Sequence, residues 1–535
     1  MKKLCFLSIF LVAGFLLASE TDTQKLYIFY TNDIHGGITE QEADFLNPNF
    51  PPMLGGGASA ARIIETYRKK AKENGNAVLL LDAGDIFQGT PVGTKTAGKA
   101  IIDYMNKVGY DAVTAGNHDF DLGKDVFINL TKQANFPILS ANLFDKSSDK
   151  VFSYIKPWTI VEKHGIKIGI FGITTEATEQ MSFPQNIAGL DFTAELPAAQ
   201  KAVDQLHAQG VDLVIALVHM GLPYDVQEGY QKLMESERQH VIKESYLNAM
   251  ELARYVKGID IMFGGHIHRG YDEPWCDPVN HTLVFQNYGN GGNLGMAIIN
   301  FDEKSRTIAG YDLPDKDSGL LLLTHDQFWP DDSIEASIKA VQEEVEKGYD
   351  EVIGVSDLAL TRGQGEAPMN NLICDAMIEA TGADFSFTNF GGVRSDIKIG
   401  PITPRDVFKV LPFGNAIVVL HLKGEFLKQL FEDKLAGNRS GLAIGGGKLA
   451  YDRSKPDGEK ITQFTIGGNP IDDNKEYRVA TTDYLAEGNS GLSALASLEQ
   501  EYVDQTGILL RDAVTQYIQK NTPLSIRSDG RWQKK

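Results

Sequence analysis

Leu26-Tyr27-Ile28-Phe29-Tyr30-Thr31-Asn32-Asp33-Ile34-His35-Gly36 begins as an aliphatic and aromatic run and ends on an acid, an imidazole and a glycine. The run has the composition of a buried strand; the polar end holds residues that bind ions or turn the chain. The same succession recurs downstream. Strand-like segments at 77–81, 112–114, 213–218 and 259–263 lead into Gly84-Asp85, Gly116-Asn117-His118-Asp119, His219 and Gly264-Gly265-His266-Ile267-His268. Helical patterns at 57–74, 95–108, 124–134 and 194–209 alternate with these strands and with others at 138–140, 166–173 and 282–286. The alternation predicts a layered α/β domain, and each cluster falls at a strand's carboxyl end, where open α/β sheets present their sites.

The chain has 535 residues, enough for two large domains or about three smaller ones. With 42% hydrophobic residues it can bury substantial cores, which excludes global disorder and collagen. Lys plus Arg is 51 against 71 for Asp plus Glu, a net charge of −20 that argues against a nucleic-acid partner. Three cysteines exclude a disulfide scaffold. Met1-Lys2-Lys3, the apolar run 4–17 and the small residues Ala18-Ser19 have the layout of a signal peptide over 1–19. About 14 apolar residues fall short of the ~20 that span a bilayer, so no stable membrane anchor is expected after cleavage. An exported chain poor in cysteine suggests a periplasmic or secreted protein. The remaining Cys276 and Cys374 are expected to be buried free thiols.

The first domain is expected over 20–330, with the Asp-rich, Pro-containing stretch 312–332 at its boundary. Asp332-Ser333 is read as the cap of a charged, solvated linker helix over 331–350. A second α/β pattern fills 351–535, with a helix at 370–381 and strands near 385–387 and 417–422. Gly445-Gly446-Gly447-Lys448 lacks the spacing of a phosphate-binding P-loop and reads as a turn.

Asp, Asn and His together, without thiolate, suit Zn, Mn, Fe or Co. Seven candidate ligands exceed the needs of one ion and fit two ions sharing a carboxylate, a pair suited to activating water against a phosphoester.

These motifs resemble the calcineurin-like metallophosphoesterases, and the whole chain resembles their two-domain 5′-nucleotidase and UDP-sugar hydrolase family. Met369-Asn370-Asn371-Leu372-Ile373-Cys374-Asp375-Ala376-Met377, Asn389-Phe390-Gly391-Gly392-Val393-Arg394 and Leu411-Pro412-Phe413-Gly414-Asn415 carry the likeness through the second half. The resemblance implies a four-layer α/β/β/α metallophosphoesterase domain, joined by a helix to a C-terminal α/β substrate-binding domain. It implies two divalent ions (Zn, Mn or Co), one held by Asp33, His35, Asp85 and His268, the other by Asp85, Asn117, His219 and His266. It casts His118 and Asp121 as a catalytic dyad. Arg394 and Arg362 would hold phosphate, Asn389 base or phosphate, and Phe413 and Tyr484 would sandwich the nucleobase. The implied reaction is hydrolysis of nucleoside 5′-monophosphates by metal-activated water.

The chain departs from the pattern at Tyr484-Leu485-Ala486-Glu487-Gly488-Asn489-Ser490-Gly491, where Ser490 replaces the Asp expected to hold the ribose hydroxyls. The charged segment 227–257, between His219 and His266, reads as an inserted surface helix pair. Alternatives are a pyrophosphohydrolase of UDP-sugars or dinucleotides and a non-catalytic nucleotide-binding protein. Retention of every donor position and of the dyad disfavours the second. The oligomeric state stays open.

Overall fold

The computed structural model describes residues 23–535 apart from 44, 48, 149 and 437–440, so the expected signal peptide lies outside the described residues. The first half is built on two facing sheets. One has the order Thr307–Asp312, Asn293–Asp302, Thr23–Thr31, Ala77–Asp82, Ala112–Thr114, Ile138–Leu139. The other has the order Trp275–Cys276, Leu283–Gln286, Ile261–Gly264, Leu213–His219, Ile166–Thr174, Trp158–Lys163. Leu26, Ile28, Tyr30, Leu79, Ile170, Ile215 and Phe263 fill the space between them. Alternate residues on the outer faces, Tyr27, Phe29 and Leu80 on one sheet and Val214, Ala216 and Val218 on the other, pack under helices. Strands buried on both faces explain the unbroken apolar runs in the sequence. The result is the four-layer α/β/β/α arrangement.

The second half carries a five-stranded sheet, in the order Leu442–Gly445, Phe385–Asn389, Glu476–Thr482, Ala416–Lys423, Val503–Leu509. Helices Pro368–Thr381, Pro404–Val410 and Leu510–Asn521 share a core on one face, and a second core with Phe385, Phe431 and Phe464 lies on the other.

Several expectations are corrected. The helix expected at 95–108 is two helices, Pro91–Lys95 and Lys99–Val108, because Gly98 takes a left-handed φ of 81° between them. The linker helix is Asp332–Val345, and its cap is Asp331, whose side chain accepts from the Ser333 and Ile334 amides. It is not a solvated connector. Ile334, Ile338, Val341 and Val345 form a stripe at helical spacing that packs on the first-domain core. Part of the boundary stretch is also domain structure, since Leu320–Leu322 pairs with Asn293–Asp302. Cys374 is buried, and burial pushes its thiol up to about 12, whereas Cys276 is exposed on a short edge strand. Segment 227–257 forms helices Val226–Arg238 and Ala249–Tyr255, joined by a two-pronged Arg254–Glu237 pair at 2.6 and 3.0 Å. Gly446, at φ 75°, turns the chain between two strands as expected.

Candidate metal centre and substrate pocket

The strand-end clusters converge. Donor atoms of Asp33, His35, Asp85 and His268 lie within 4.8 Å of one another, as do those of Asp85, His219 and His266. Asn117 joins the second group, its Oδ1 lying 3.1 Å from His219 Nε2 and 2.9 Å from His266 Nδ1. Asp85 is common to both groups.

Local backbone aims these donors. Asp33, His35, Asp85, His266 and His268 all have φ between 49° and 74°, in the left-handed region that non-glycine residues seldom occupy. Such strain persists only where surrounding contacts impose it, and it gathers at functional sites. The contacts here are specific. The Asp33 amide donates to Gly84 O at 2.8 Å and the His35 amide to Asp85 O at 3.0 Å. The His266 amide donates to the Asp33 carboxylate at 2.9 Å. Gly116 must lack a side chain, because a Cβ there would sit 2.2 Å from Asp85 Oδ1.

Ring orientation is also fixed. His35 Nδ1 donates to Gln88 O at 2.6 Å and His219 Nδ1 to Ala83 O at 2.8 Å, which leaves each Nε2 facing Asp85 Oδ2, at 3.7 and 3.1 Å. Backbone carbonyls commonly set metal-binding imidazoles in this way. Burial, with neighbouring cations, pushes His35 and His266 down to about 3 and His268 to about 2, holding them in the neutral, ligating form. Burial alone would raise Asp85, but the imidazoles of His219 and His118 outweigh it and keep the carboxylate ionised. Asp85 Oδ2 is buried with no hydrogen-bond donor aligned on it among the described residues. An orphaned carboxylate oxygen amid oxygen and imidazole donors fits shared coordination of two divalent cations.

His118 opens the short 3-10 turn His118–Phe120 and Asp121 caps its end, so the three-residue period puts them on one side. His118 Nδ1 lies 2.8 Å from Asp121 Oδ2, and the His118 amide donates to Asp85 Oδ1 at 2.8 Å. Burial opposes charge on this imidazole, yet Asp121 and Asp85 overcome it and push His118 up to about 9.

The second domain reaches this centre. Arg394 Nη2 donates to His268 Nδ1 at 3.3 Å, and the Phe413 ring stacks on His118 with centroids 5.2 Å apart. The Arg394 guanidinium also lies 5.8 Å from the Phe413 ring centroid. Tyr484 is half-buried, and Asn389 Nδ2 donates to Ser490 Oγ at 3.3 Å. Asn389 and Phe413 line one pocket with Thr388, Gly392, Leu411 and Asn415. Arg362 is exposed, its guanidinium 3.9 Å from Asp396 Oδ1 and donating to Val393 O at 3.4 Å, and its charge acts on Arg394.

Three residues went unassigned in the sequence. Asp119 accepts from the amides of Asp85, Ile86 and Gly116 at 3.2, 2.9 and 2.8 Å, clamping two donor loops together. Asn32 donates to Asp33 Oδ2 at 2.7 Å and exchanges hydrogen bonds with the Asn287 backbone, tying the two sheets at their donor ends. Both lie inside the strand-end motifs, and adjacency to donors was the available signal. Phe183, which meets Tyr484 from the first domain, had no signal.

A two-sheet sandwich with this donor set, facing an arginine and aromatic rings from a second domain, is the build of a metal-dependent phosphoester hydrolase. Residues 26–270 match the calcineurin-like phosphoesterases, a class that uses two divalent metals, and residues 351–497 match the 5′-nucleotidase C-terminal domain. The chain is 30% identical to the snake venom 5′-nucleotidase of Gloydius brevicauda, over 88% of its own length and 82% of that protein's. It is 28% identical to the protein UshA of Yersinia enterocolitica, over 96% of this chain and 94% of that one. The crystal structure of a 5′-nucleotidase precursor from Thermus thermophilus superposes with a TM-score of 0.80 at 27% identity, covering 95% of this chain and 99% of that one. The chain belongs to the 5′-nucleotidase family.

Proposed function

We propose that the chain is an exported enzyme that hydrolyses nucleoside 5′-monophosphates to nucleoside and phosphate. Two divalent ions (Zn, Mn or Co) would be held by Asp33, His35, Asp85 and His268 and by Asp85, Asn117, His219 and His266. The observation that carries the reading is the meeting of Arg394 and Phe413 with His268 and His118: a phosphate-binding fork and an aromatic face adjoin the buried donor cluster.

When bound, the ions supply charge stabilisation at the phosphoryl oxygens and a nucleophilic water at neutral pH. The chain's own residues do the rest. The planar guanidinium of Arg394 takes two phosphate oxygens and sets the phosphoryl group against the donors. His118, charged at neutral pH through its pairing with Asp121, donates a proton to the departing 5′-oxygen. Phe413 and Tyr484 hold the base by its π faces, which gives affinity with little choice among bases.

A second reading, hydrolysis of a pyrophosphate bond in UDP-sugars or dinucleotides, is supported by the likeness to UshA, which also hydrolyses UDP-sugars. Export rests on the pattern of residues 1–19. Among the described residues no helix is long and apolar enough to cross a membrane.

Product-resolved hydrolysis of AMP and UDP-glucose, with Mn²⁺ or Zn²⁺ and an EDTA control, tests both readings. Chelator-sensitive adenosine and phosphate from AMP supports the first. UMP from UDP-glucose with AMP left intact would replace it with the second.

A further inference from the structure

Phe183 lies on the first domain, just after the helix Thr178–Met181, and its ring stands edge-on to Tyr484 with centroids 6.0 Å apart and planes at 85°. That is the favourable perpendicular geometry for an aromatic pair. The loop carrying Phe183 is anchored to the dyad segment. Asn186 Nδ2 donates to Asp121 O at 2.7 Å, the Lys124 amide donates to Asn186 O at 2.8 Å, and the Asn186 amide donates back to Phe183 O at 2.9 Å. On its own domain, Tyr484 is held through its backbone, where Asn489 Nδ2 donates to Tyr484 O at 2.9 Å and the Tyr484 amide donates to Asp483 Oδ1 at 2.8 Å. The Tyr484 backbone is therefore tied down by its own domain, while its ring is met edge-on by Phe183 of the other.

Resting on the nucleotide reading above, we infer that Phe183 is a positioning residue for the nucleobase: it fixes the ring of Tyr484 from the catalytic domain, so that the base clamp is complete only when the two domains are docked. The other ring of the clamp behaves in parallel, since Phe413 is stacked on His118. Both rings are thus seated by residues of the first domain, and the Phe183 loop hangs from the backbone of Asp121. Phe183 and the donor cluster belong to one domain, so the residue that seats Tyr484 is carried with the metal centre. Base recognition is in this way coupled to catalysis, without Phe183 touching phosphate or metal.

The test is a double-mutant cycle between Phe183→Ala and Tyr484→Ala, read as the ratio of kcat/KM for AMP to kcat/KM for p-nitrophenyl phosphate, which has no base. Phe183→Ala should lower that ratio roughly three- to tenfold, chiefly through KM for AMP. In the Tyr484→Ala background it should have no further effect. Phe183→Tyr, which keeps the ring, should restore the ratio and guards against a loss caused by misfolding. An equal loss on both substrates, or an undiminished effect of Phe183→Ala when Tyr484 is already gone, overturns the assignment while leaving the nucleotide reading intact. A wild-type chain that turns over p-nitrophenyl phosphate but neither AMP nor UDP-glucose overturns both.

Discussion

The metal centre and the base pocket lie side by side and are built in opposite ways. At the centre, Asp33, Asp85, Asn117 and His219 are almost fully buried, and most proposed ligands sit on left-handed backbone pinned by amide hydrogen bonds. At the pocket, Phe413 and Tyr484 are half-buried, and each rests on a residue of the other domain. The centre is preorganised by one domain's core, whereas the pocket is finished by contact between two. Removing a donor should therefore abolish function outright, while removing a pocket residue should shift affinity by a graded amount.

That contrast can be broken by substitution. Asp85→Asn should have the largest effect, lowering kcat on every phosphoester at least about a thousandfold, because a carboxylate common to both donor groups would serve both ions. Selective loss on nucleotides alone would contradict the division. His118→Asn should come next, with kcat down roughly a hundred- to a thousandfold in steady-state assays and bound metal unchanged in elemental analysis. Phe413→Ala should raise KM for AMP about tenfold and leave KM for p-nitrophenyl phosphate within about twofold. Ser490→Asp should have the smallest effect, lowering KM for AMP by about threefold and for 2′-deoxy-AMP hardly at all, through a charge-assisted bond to the ribose. Asp is well suited to the site, since Ser490 has a φ of 57°, a region Asp tolerates. An equal change for both nucleotides would remove the ribose explanation.

The same contrast sets how much was legible in the sequence. The donors could be read because a strand buried on both faces gives an unbroken apolar run, and the polar residues that end it stand out. That held for Asp33, Asp85, His219 and His266, and the four layers followed from the resemblance those motifs carried. What escaped depends on partners distant in sequence. The stripe Ile334, Ile338, Val341 and Val345 was hidden among glutamates and lysines, so a packed helix looked like a solvated one. Gly98 broke a helix whose apolar spacing continued across it. Asp119 read as one more polar loop residue, because its partners are amides of a different loop. Phe183 meets Tyr484 only once two domains have docked, and no local pattern announces such a contact.

On the proposed function, the buried Asp85 carboxylate would join two ion sites built by the first domain alone. Metal stoichiometry tests it directly, by dialysing the purified chain against Mn²⁺ or Zn²⁺ and counting ions per chain by mass spectrometry. Two ions per chain are expected in the wild type and in Phe413→Ala, and fewer than one in Asp85→Asn. Two ions retained by Asp85→Asn would show that Asp85 bridges nothing and would overturn the account.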